Sequence, residues 1–332
     1  MQTYRFGPRV ILDASFVTQE QKDARHLKAL EKMGCVLVMI DALSFELCTS
    51  ENKDRWLHVQ RKLMQCPESV ECWFHTAELL KGEVASKSPT WLPVDNHATA
   101  GTRQWFRSQQ EYVPDNLGEL TEPHLKQREV DTVEALLSDI EKDKSQFDNL
   151  AAVIWNKPYE QTTDICYQFV NDRTRIMAQL ARDHGDANDH DLFISDCGST
   201  INERWFAFHH AKSYLALLCL YIHKFGTNKT PKSIKDIENT VIDSNYAACL
   251  AFAEGLAYNE TRGDLGKLCR WMYGSSRKLI TIQRLDELMP QYQDIEKAAF
   301  YRWDTLGHRD GRDVDDWLTG ERELYRFLWP VL

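Results

Sequence analysis

The sequence has few glycines and no long hydrophobic run, and each shortage excludes a class of protein. Gly occurs 15 times in 332 residues, which is too few for Gly-rich repeats or for a large all-β protein with many tight turns. The longest uninterrupted apolar run is residues 214–222, whereas a membrane span needs about 20 residues. We therefore expect this run to form a buried helix face, and we expect no membrane partner.

Paired cysteines and nucleotide-binding loops are also missing. The nine cysteines include no C-x-x-C pair, and most lie within apolar runs, where a reduced cysteine acts as a small hydrophobe. This pattern predicts a reducing, cytoplasmic compartment. The N-terminus has charges on both sides of a short apolar run, which predicts that no signal peptide is present. The sequence contains no Walker loop and no G-x-G-x-x-G fingerprint.

Positive charge is in deficit over the whole chain. The net charge of −10 argues against a protein that coats nucleic acid with a broad basic surface. Ten Trp, twelve Tyr and fourteen Phe are too many aromatic residues for a disordered chain. At roughly 150 residues per domain, the length favours two domains or one domain with a large insertion.

Strands and helices alternate at two places in the sequence, which predicts an α/β fold with a parallel sheet and right-handed crossovers. The first alternation is strand 9–13, helix 19–33, strand 35–40 and a helix over 42–49. The second is helix 243–254, strand 255–258, helix 264–273 and strand 278–282. Residues 1–50 and 240–284 are therefore predicted to form one core.

The middle and the C-terminal end of the chain have mainly helical patterns. Residues 51–239 are predicted to be a large helical insertion, and 285–332 a helical C-terminal cap. Within the insertion, the helical patterns cover 53–65, 124–147, 161–184 and 200–225. Residues 85–120 are rich in Pro, Ser, Thr and Asn and are predicted to be loop. Residues 149–155 fit either a strand or the start of a helix.

Acidic residues follow the predicted strands. Asp13 directly follows the first strand, and Glu46 is predicted on the first turn of the helix after the second. Asp243 is predicted to begin a helix, Glu260 follows the strand at 255–258, and Asp264 begins the next helix. Ligands of open α/β sheets bind at the carboxyl ends of the strands, where clustered carboxylates suit Mg²⁺ or Mn²⁺. The alternative for each acid is a helix cap.

Three segments carry a family resemblance. Residues 10–17 (V-I-L-D-A-S-F-V), 42–47 (A-L-S-F-E-L) and 243–265 together resemble a PIN-domain-like nuclease. The resemblance implies a PIN-like parallel sheet and a metal-dependent endonuclease that favours RNA. The residues it implies as catalytic and metal-binding are Asp13, Glu46, Asp243 and Glu260, with Asp264 as a further metal ligand. The chain departs from the family pattern at Tyr258-Asn-Glu, where Thr-x-Asp is usual, and an inactive PIN-like scaffold is the alternative.

Basic residues are concentrated in one stretch, 261–284, where the only acid is Asp264. We predict that this stretch binds a nucleic-acid strand, because local basic charge beside aromatic residues is typical of such surfaces. The alternative is a solvated helix face. The candidate contacts are Arg262, Lys267, Arg270, Arg277 and Lys278.

Two further segments suggest other functions. The spacing between Arg204 and His209 fits the R-x4-6-H pattern of HEPN-type ribonucleases, which use no metal and in which the His acts as an acid or base. Residues 303–321 resemble a short bacterial domain of uncharacterised function. That resemblance implies a bacterial source, and the segment is either a docking element or a packed helical cap. A protein partner would bind through this segment or the insertion.

Overall fold

The computed structural model describes residues 7–20, 22–48, 53–90, 93–113, 123–183, 200–227, 231–259, 263–306 and 313–332. The described strands are β1 (Arg9–Leu12), β2 (Val36–Met39), β3 (Val70–Cys72), β4 (Gly255–Ala257) and β5 (Lys278–Ile280). They form one parallel sheet in the order β3-β2-β1-β4-β5. The predicted α/β class with a parallel sheet flanked by helices is confirmed.

Helices make up most of the remaining chain. Those before the long central helix are α1 (Ala14–Gln19), α2 (Arg25–Lys32), α3 (Asp41–Cys48), α4 (Lys53–Leu63), α5 (Thr76–Ser86), α6 (Asn96–Ser108), α7 (Pro123–Lys142), α8 (Lys144–Ile154), α9 (Tyr159–Val170) and α10 (Arg173–Asp183). The others are α11 (Phe206–Phe225), α12 (Pro231–Cys249), α13 (Leu265–Tyr273), α14 (Ile282–Leu288), α15 (Tyr292–Thr305) and α16 (Asp313–Leu328).

The strand order reverses between β1 and β4. From β1 the chain proceeds outward through β2 to β3, and it then returns to place β4 on the other side of β1. The apolar side chains of β1 are fully buried, as expected for the central strand of a sheet covered on both faces. Open α/β sheets bind ligands at the carboxyl ends of the strands where the order reverses, which here are the ends of β1 and β4.

The sheet includes a strand from the segment predicted as a helical insertion. β3 lies beyond residue 51, the predicted start of that insertion, yet pairs with β2 in the sheet. β3 was not predicted because it is three residues long and has Glu71 at its centre. The Glu71 carboxylate accepts hydrogen bonds from Arg9 Nε and Trp73 Nε1, both at 2.8 Å, and these bonds offset its burial.

Three local predictions within the insertion are also corrected. The segment predicted as loop over 85–120 contains α6, whose first turn is capped by the Asp95 side chain bonding to the Ala98 N–H at 2.9 Å. Residues 149–154 belong to α8 and form neither a strand nor a helix start. The helix predicted from residue 200 begins only at Phe206.

Helix α11 is the most deeply buried helix among those described in full. Fifteen of its side chains are buried, including those from Leu215 to Ile222 of the longest apolar run, so the predicted buried helix face is confirmed. The buried Glu83 carboxylate caps its N-terminus by accepting from the N–H groups of Phe206 at 2.7 Å and Ala207 at 2.8 Å. No helix in the described part of the chain has the length and hydropathy that crossing a bilayer requires.

The C-terminal helices α15 and α16 form a hairpin. A Cβ atom on Gly320 would come within 3.0 Å of the Ala299 backbone nitrogen, so glycine allows the two helices to approach closely. Arg302 bonds to the buried Asp316 at 3.3 Å across the hairpin. Lys32 of α2 donates to Glu321 at 2.6 Å and joins the hairpin to the core.

An ion-pair network around the buried His26 and Glu20 side chains connects α2 to α14, and we call it the His26 network. The His26 ring bonds to Glu20 through Nδ1 at 2.8 Å and to Asp286 through Nε2 at 2.9 Å. The second Glu20 oxygen accepts from the Leu27 N–H at 3.0 Å, and Arg25 also donates to Asp286. Burial alone would lower the pKa of His26, but the two carboxylates together raise it.

Candidate functional site

Asp13 lies at the point where the strand order reverses, directly after β1. Its backbone N–H donates to the Ala257 carbonyl of β4 at 2.9 Å. Its buried carboxylate caps α1 by accepting from the Ser15 N–H at 2.9 Å and from the Ser15 hydroxyl. Burial raises the pKa of Asp13 even though these hydrogen bonds oppose the shift. Asp13 therefore acts as a helix cap, the role expected as the alternative to metal binding. Its burial makes the charged form of the carboxylate unfavourable.

Ser15 connects the residues that follow β1 and β4 at their carboxyl ends. Its hydroxyl donates to Asp13 and accepts from the Asn259 N–H at 2.9 Å. The loop after β4 is thus held against the start of α1. Glu260 follows Asn259 directly and lies outside the described residues, so its predicted role as a metal ligand stays a prediction.

Glu46 does not lie where the sequence placed it. It is in the last turn of α3 and not in the first, because that helix already begins at Asp41. Its carboxylate accepts a hydrogen bond from the Tyr246 hydroxyl at 2.6 Å. Tyr246 belongs to α12 and is fully buried. The bond therefore connects the helix after β2 to the helix before β4.

Asp243 also lies inside a helix. The prediction that it begins a helix is wrong, since α12 starts at Pro231. Asp243 is three residues before Tyr246 and therefore faces a similar direction on α12. Burial, and then the charges of Glu46, Asp13 and Asp243, raise the pKa of Tyr246.

A second buried group lies in the field of two of these carboxylates. The pKa of Cys269 on α13 is raised by burial and by the negative charges of Asp243 and Asp13. Glu46 accepts from Tyr246, and the charges of Asp13 and Asp243 also act on Tyr246, so we call these three acidic residues the carboxylate site. In the residues that the structure describes, no group of three or more His, Cys, Asp or Glu side chains is arranged to hold a metal ion.

Asp264 has a different environment from the carboxylate site. It immediately precedes α13, as predicted, and its carboxylate bonds to Lys224 of α11 and to Lys267 at 3.2 Å. The Thr240 hydroxyl of α12 also donates to it at 3.4 Å. Because two ammonium groups already contact this carboxylate, the geometry supports a charge-pairing role more than a metal ligand.

The predicted basic stretch does not form one continuous surface. Arg277 donates to the carbonyls of Leu250 at 3.1 Å and Ala251 at 2.9 Å. Lys278 bonds to the Pro330 carbonyl at 3.3 Å. These two residues therefore stabilise local structure. Arg270 and Lys267 remain on α13 as exposed and half-exposed basic groups, and Arg262 lies outside the described residues.

The alternative built on Arg204 and His209 is not supported by the geometry. Arg204 precedes α11, so the two residues do not share a helix face. His209 is buried against the rings of Phe252 and Tyr273, and its Nε2–H donates to the Glu203 carbonyl at 2.8 Å. Burial lowers its pKa to about 3, so the ring is neutral at physiological pH and has no proton to donate from Nδ1.

Three functional candidates were missed because their neighbours in sequence concealed them. Tyr246 lies in an Ala-rich helix and has the pattern of a core residue. Lys224 follows an apolar run, 40 residues before the Asp264 it contacts. Ser15 is separated from Asn259 by 244 residues. Only Ser15 gave a local signal, since it lies two residues after a candidate helix cap.

Comparison with known proteins yields one partial match. The family model described as "Protein of unknown function (DUF2934)" matches residues 290–325. This match confirms that the C-terminal hairpin resembles an uncharacterised domain. No curated protein and no solved structure matches the chain. The comparisons thus provide no support for the PIN-like resemblance, which rests on the sequence motifs.

Proposed function

We propose that this chain is a divalent-metal-dependent nuclease that acts at the carboxyl ends of β1 and β4. The observation that carries the proposal is that Asp13, where the strand order reverses, and Asp243 both act electrostatically on Tyr246, which donates to Glu46. This is the position at which open α/β sheets bind ligands. The preference for RNA over DNA derives from the PIN-like resemblance.

The donors in the carboxylate site suit Mg²⁺ or Mn²⁺ in their chemistry. All are carboxylate oxygens, which hard divalent cations prefer. Mg²⁺ is commonly bound by one or two protein carboxylates, while water and substrate phosphates complete its coordination. In the described residues the three carboxylates are not arranged as a complete ligand set, so water and a substrate phosphate would supply the remaining ligands. When bound, such an ion polarises the phosphodiester and activates water.

The chain's own residues orient the donors. Ser15 fixes the Asp13 carboxylate from the first turn of α1, and the Tyr246 hydroxyl fixes Glu46. Asp13 is buried with a raised pKa, so a nearby cation would favour its charged form. The carboxylate site is therefore arranged to gain electrostatic stability from a cation and a substrate phosphate together.

Cleavage of a labelled single-stranded RNA in Mn²⁺ tests the proposal. We expect cleavage by the parent protein, loss of cleavage in EDTA, and loss in Asp13→Asn and Asp243→Asn. Asp143→Asn is the matched control, because Asp143 is exposed and its side chain makes no cap hydrogen bond within the described chain. Cleavage by a folded Asp13→Asn protein at the parental rate would overturn the proposal.

Two other outcomes select the rival functions. Cleavage that survives EDTA and is lost in His209→Ala would select the metal-independent mechanism. A parent protein that cleaves neither RNA nor DNA in Mn²⁺ would favour a non-catalytic scaffold. The C-terminal hairpin favours this second candidate as a protein-binding role, because it exposes Tyr301 at 68% and Phe327 at 75%.

A further inference from the structure

We infer that Lys224 and Lys267 together bind a backbone phosphate of a single nucleic-acid strand and position that strand beside the carboxylate site. This inference rests on the proposed function for its substrate class. It adds Lys224, from the helical region, to the predicted nucleic-acid contacts. It also gives Asp264 a role other than the predicted metal ligand. We call Lys224 and Lys267 the lysine pair.

The lysine pair comes from two helices that meet at one carboxylate. Lys224 is in the last turn of α11, Lys267 is in the first turn of α13, and both contact Asp264. Each lysine side chain is 27% exposed, whereas that of Asp264 is 12% exposed. Two ammonium groups around one carboxylate leave one positive charge, and solvent reaches the lysines more easily than the carboxylate.

Helix α12 relates the lysine pair to the carboxylate site. Thr240 donates to Asp264 at 3.4 Å, Asp243 is one turn further, and Tyr246 follows one turn later with its bond to Glu46. At 1.5 Å per residue, the six residues from Thr240 to Tyr246 span about 9 Å. Phosphates in a stacked strand repeat about every 3.4 Å along its axis, so the lysine pair is about two or three nucleotides away.

Asp264 acts as an internal substitute for the phosphate. It occupies the N-cap position of α13, yet within the described chain its side chain makes no cap hydrogen bond and is used by the two lysines. A phosphate oxygen that approaches the lysine pair would compete with this carboxylate. Removing the Asp264 charge should therefore strengthen strand binding.

An exposed aromatic residue lies close to Lys224 and favours a strand over an isolated phosphate ion. Trp155 is 51% exposed, and its ring lies against Gly226, two residues after Lys224. The Asn156 N–H donates to the His223 carbonyl at 3.0 Å, which holds this loop against the end of α11. Exposed aromatic rings beside basic groups provide stacking surfaces for bases.

Binding of a fluorescent 12-nucleotide RNA in EDTA, measured at several salt concentrations, tests the inference without cleavage. Replacing both lysines (Lys224→Met with Lys267→Met) should reduce the slope of log affinity against log salt by about 0.7, since the lysine pair contacts one phosphate and each phosphate contact contributes about 0.7. This change corresponds to about fivefold weaker binding at 0.1 M salt, with convergence near 1 M. Lys142→Met is the control, because this lysine is 72% exposed.

Two further variants give different signatures. Asp264→Asn should tighten binding and increase the slope. Trp155→Ala should weaken binding about fivefold or more with an unchanged slope, and Phe327→Ala is its exposed aromatic control. The inference is overturned if the double lysine variant keeps the parental slope or if Asp264→Asn weakens binding. An unchanged affinity in Trp155→Ala would contradict binding of a strand with stacked bases and would indicate a site for phosphate alone.

Failure of this inference is distinguishable from failure of the proposed function. If the protein cleaves nothing but the double lysine variant loses affinity as stated, the lysine pair stands and the nuclease proposal fails. If cleavage depends on Asp13 and the double lysine variant binds RNA as the parent does, the nuclease proposal stands and the strand contacts another surface.

Discussion

The carboxylate site and the His26 network each contain one buried carboxylate, Asp13 and Glu20 respectively, but the two differ in their hydrogen-bond donors. In the His26 network, an imidazole lies between Glu20 and Asp286, and Arg25 adds a guanidinium. At the carboxylate site, Asp13 accepts from Ser15 and Glu46 accepts from Tyr246, and both donors are neutral groups.

The pKa shifts show the consequence of that difference. In the His26 network, the carboxylates raise the pKa of His26 against the effect of burial, so the pairing stabilises the fold. At Asp13, burial prevails over the hydrogen bonds and raises the pKa, so the ionised carboxylate destabilises the fold. Sites that break a local stability rule in this way are typical of functional sites. Four predictions test or refine this comparison.

The largest effect is expected at the carboxylate site. Asp13→Asn should reduce Mn²⁺-dependent RNA cleavage by about two orders of magnitude or more, because it removes an anionic ligand with little change in shape. The same change should leave folding intact and raise the free energy of unfolding by about 1 kcal/mol, since a buried charge is removed. Cleavage kinetics and urea denaturation measure the two effects. Because Asn retains the helix cap, a loss of stability would contradict an unfavourable ionised carboxylate at Asp13.

The opposite result is expected in the His26 network. His26→Ala should reduce the free energy of unfolding by about 3–5 kcal/mol, because it leaves the fully buried Glu20 without its imidazole partner. Urea denaturation measures the loss, and the exposed His97→Ala provides the control, with an expected change within about 0.5 kcal/mol. An unchanged denaturation midpoint for His26→Ala would contradict a stabilising role for the network.

A smaller effect is expected at Tyr246. Tyr246→Phe should reduce the free energy of unfolding by about 1.5–3 kcal/mol, because Glu46 loses a charge-assisted hydrogen bond. Combining it with Glu46→Gln in a double-mutant cycle isolates the coupling between the two groups. Tyr301→Phe is the control, since Tyr301 is exposed. Additive effects of the two changes would show that the bond contributes little.

The smallest effects are expected in the dependence of stability on pH. The pKa of His26 is raised on folding, so its contribution is complete below pH 6.5 and is lost as the pH rises through the folded value. The pKa of Asp13 is also raised, so ionisation of its carboxylate reduces stability as the pH rises from 3.8. Urea denaturation at several pH values measures both effects. The loss of stability above pH 6.5 should be smaller in His26→Gln, and the loss above pH 3.8 should be smaller in Asp13→Asn.

The sequence predicted the strands that are strongly apolar. β1, β2 and β4 were predicted because continuous buried strands have no polar residue inside them. β3 could not be found in this way, because the partners of Glu71 come from other elements. The loop prediction for α6 failed for a related reason, since its Thr-rich and Gly-containing sequence has low helix propensity and tertiary packing holds it in place.

The candidate site was predictable from the sequence only where a candidate residue directly follows a recognisable strand. Asp13 could be identified because it follows an apolar strand directly. The helix positions predicted for Glu46 and Asp243 were incorrect. The structure relates the two residues through Tyr246, on which both charges act. Lys224 could not be predicted, because nothing local to an apolar helix indicates that its last turn reaches the N-terminus of α13.

The reversal of strand order has a consequence for biosynthesis. The central strand β1 is synthesised well before β4, its partner on one side, since the Arg9 N–H bonds to Glu254, 245 residues later. At about 5–20 residues per second, a ribosome needs roughly 10–50 s to make that length of chain. For that interval, one edge of this buried apolar strand has no native partner. Early packing by the helices between β3 and β4, or a bound chaperone, would keep that edge from pairing with other chains.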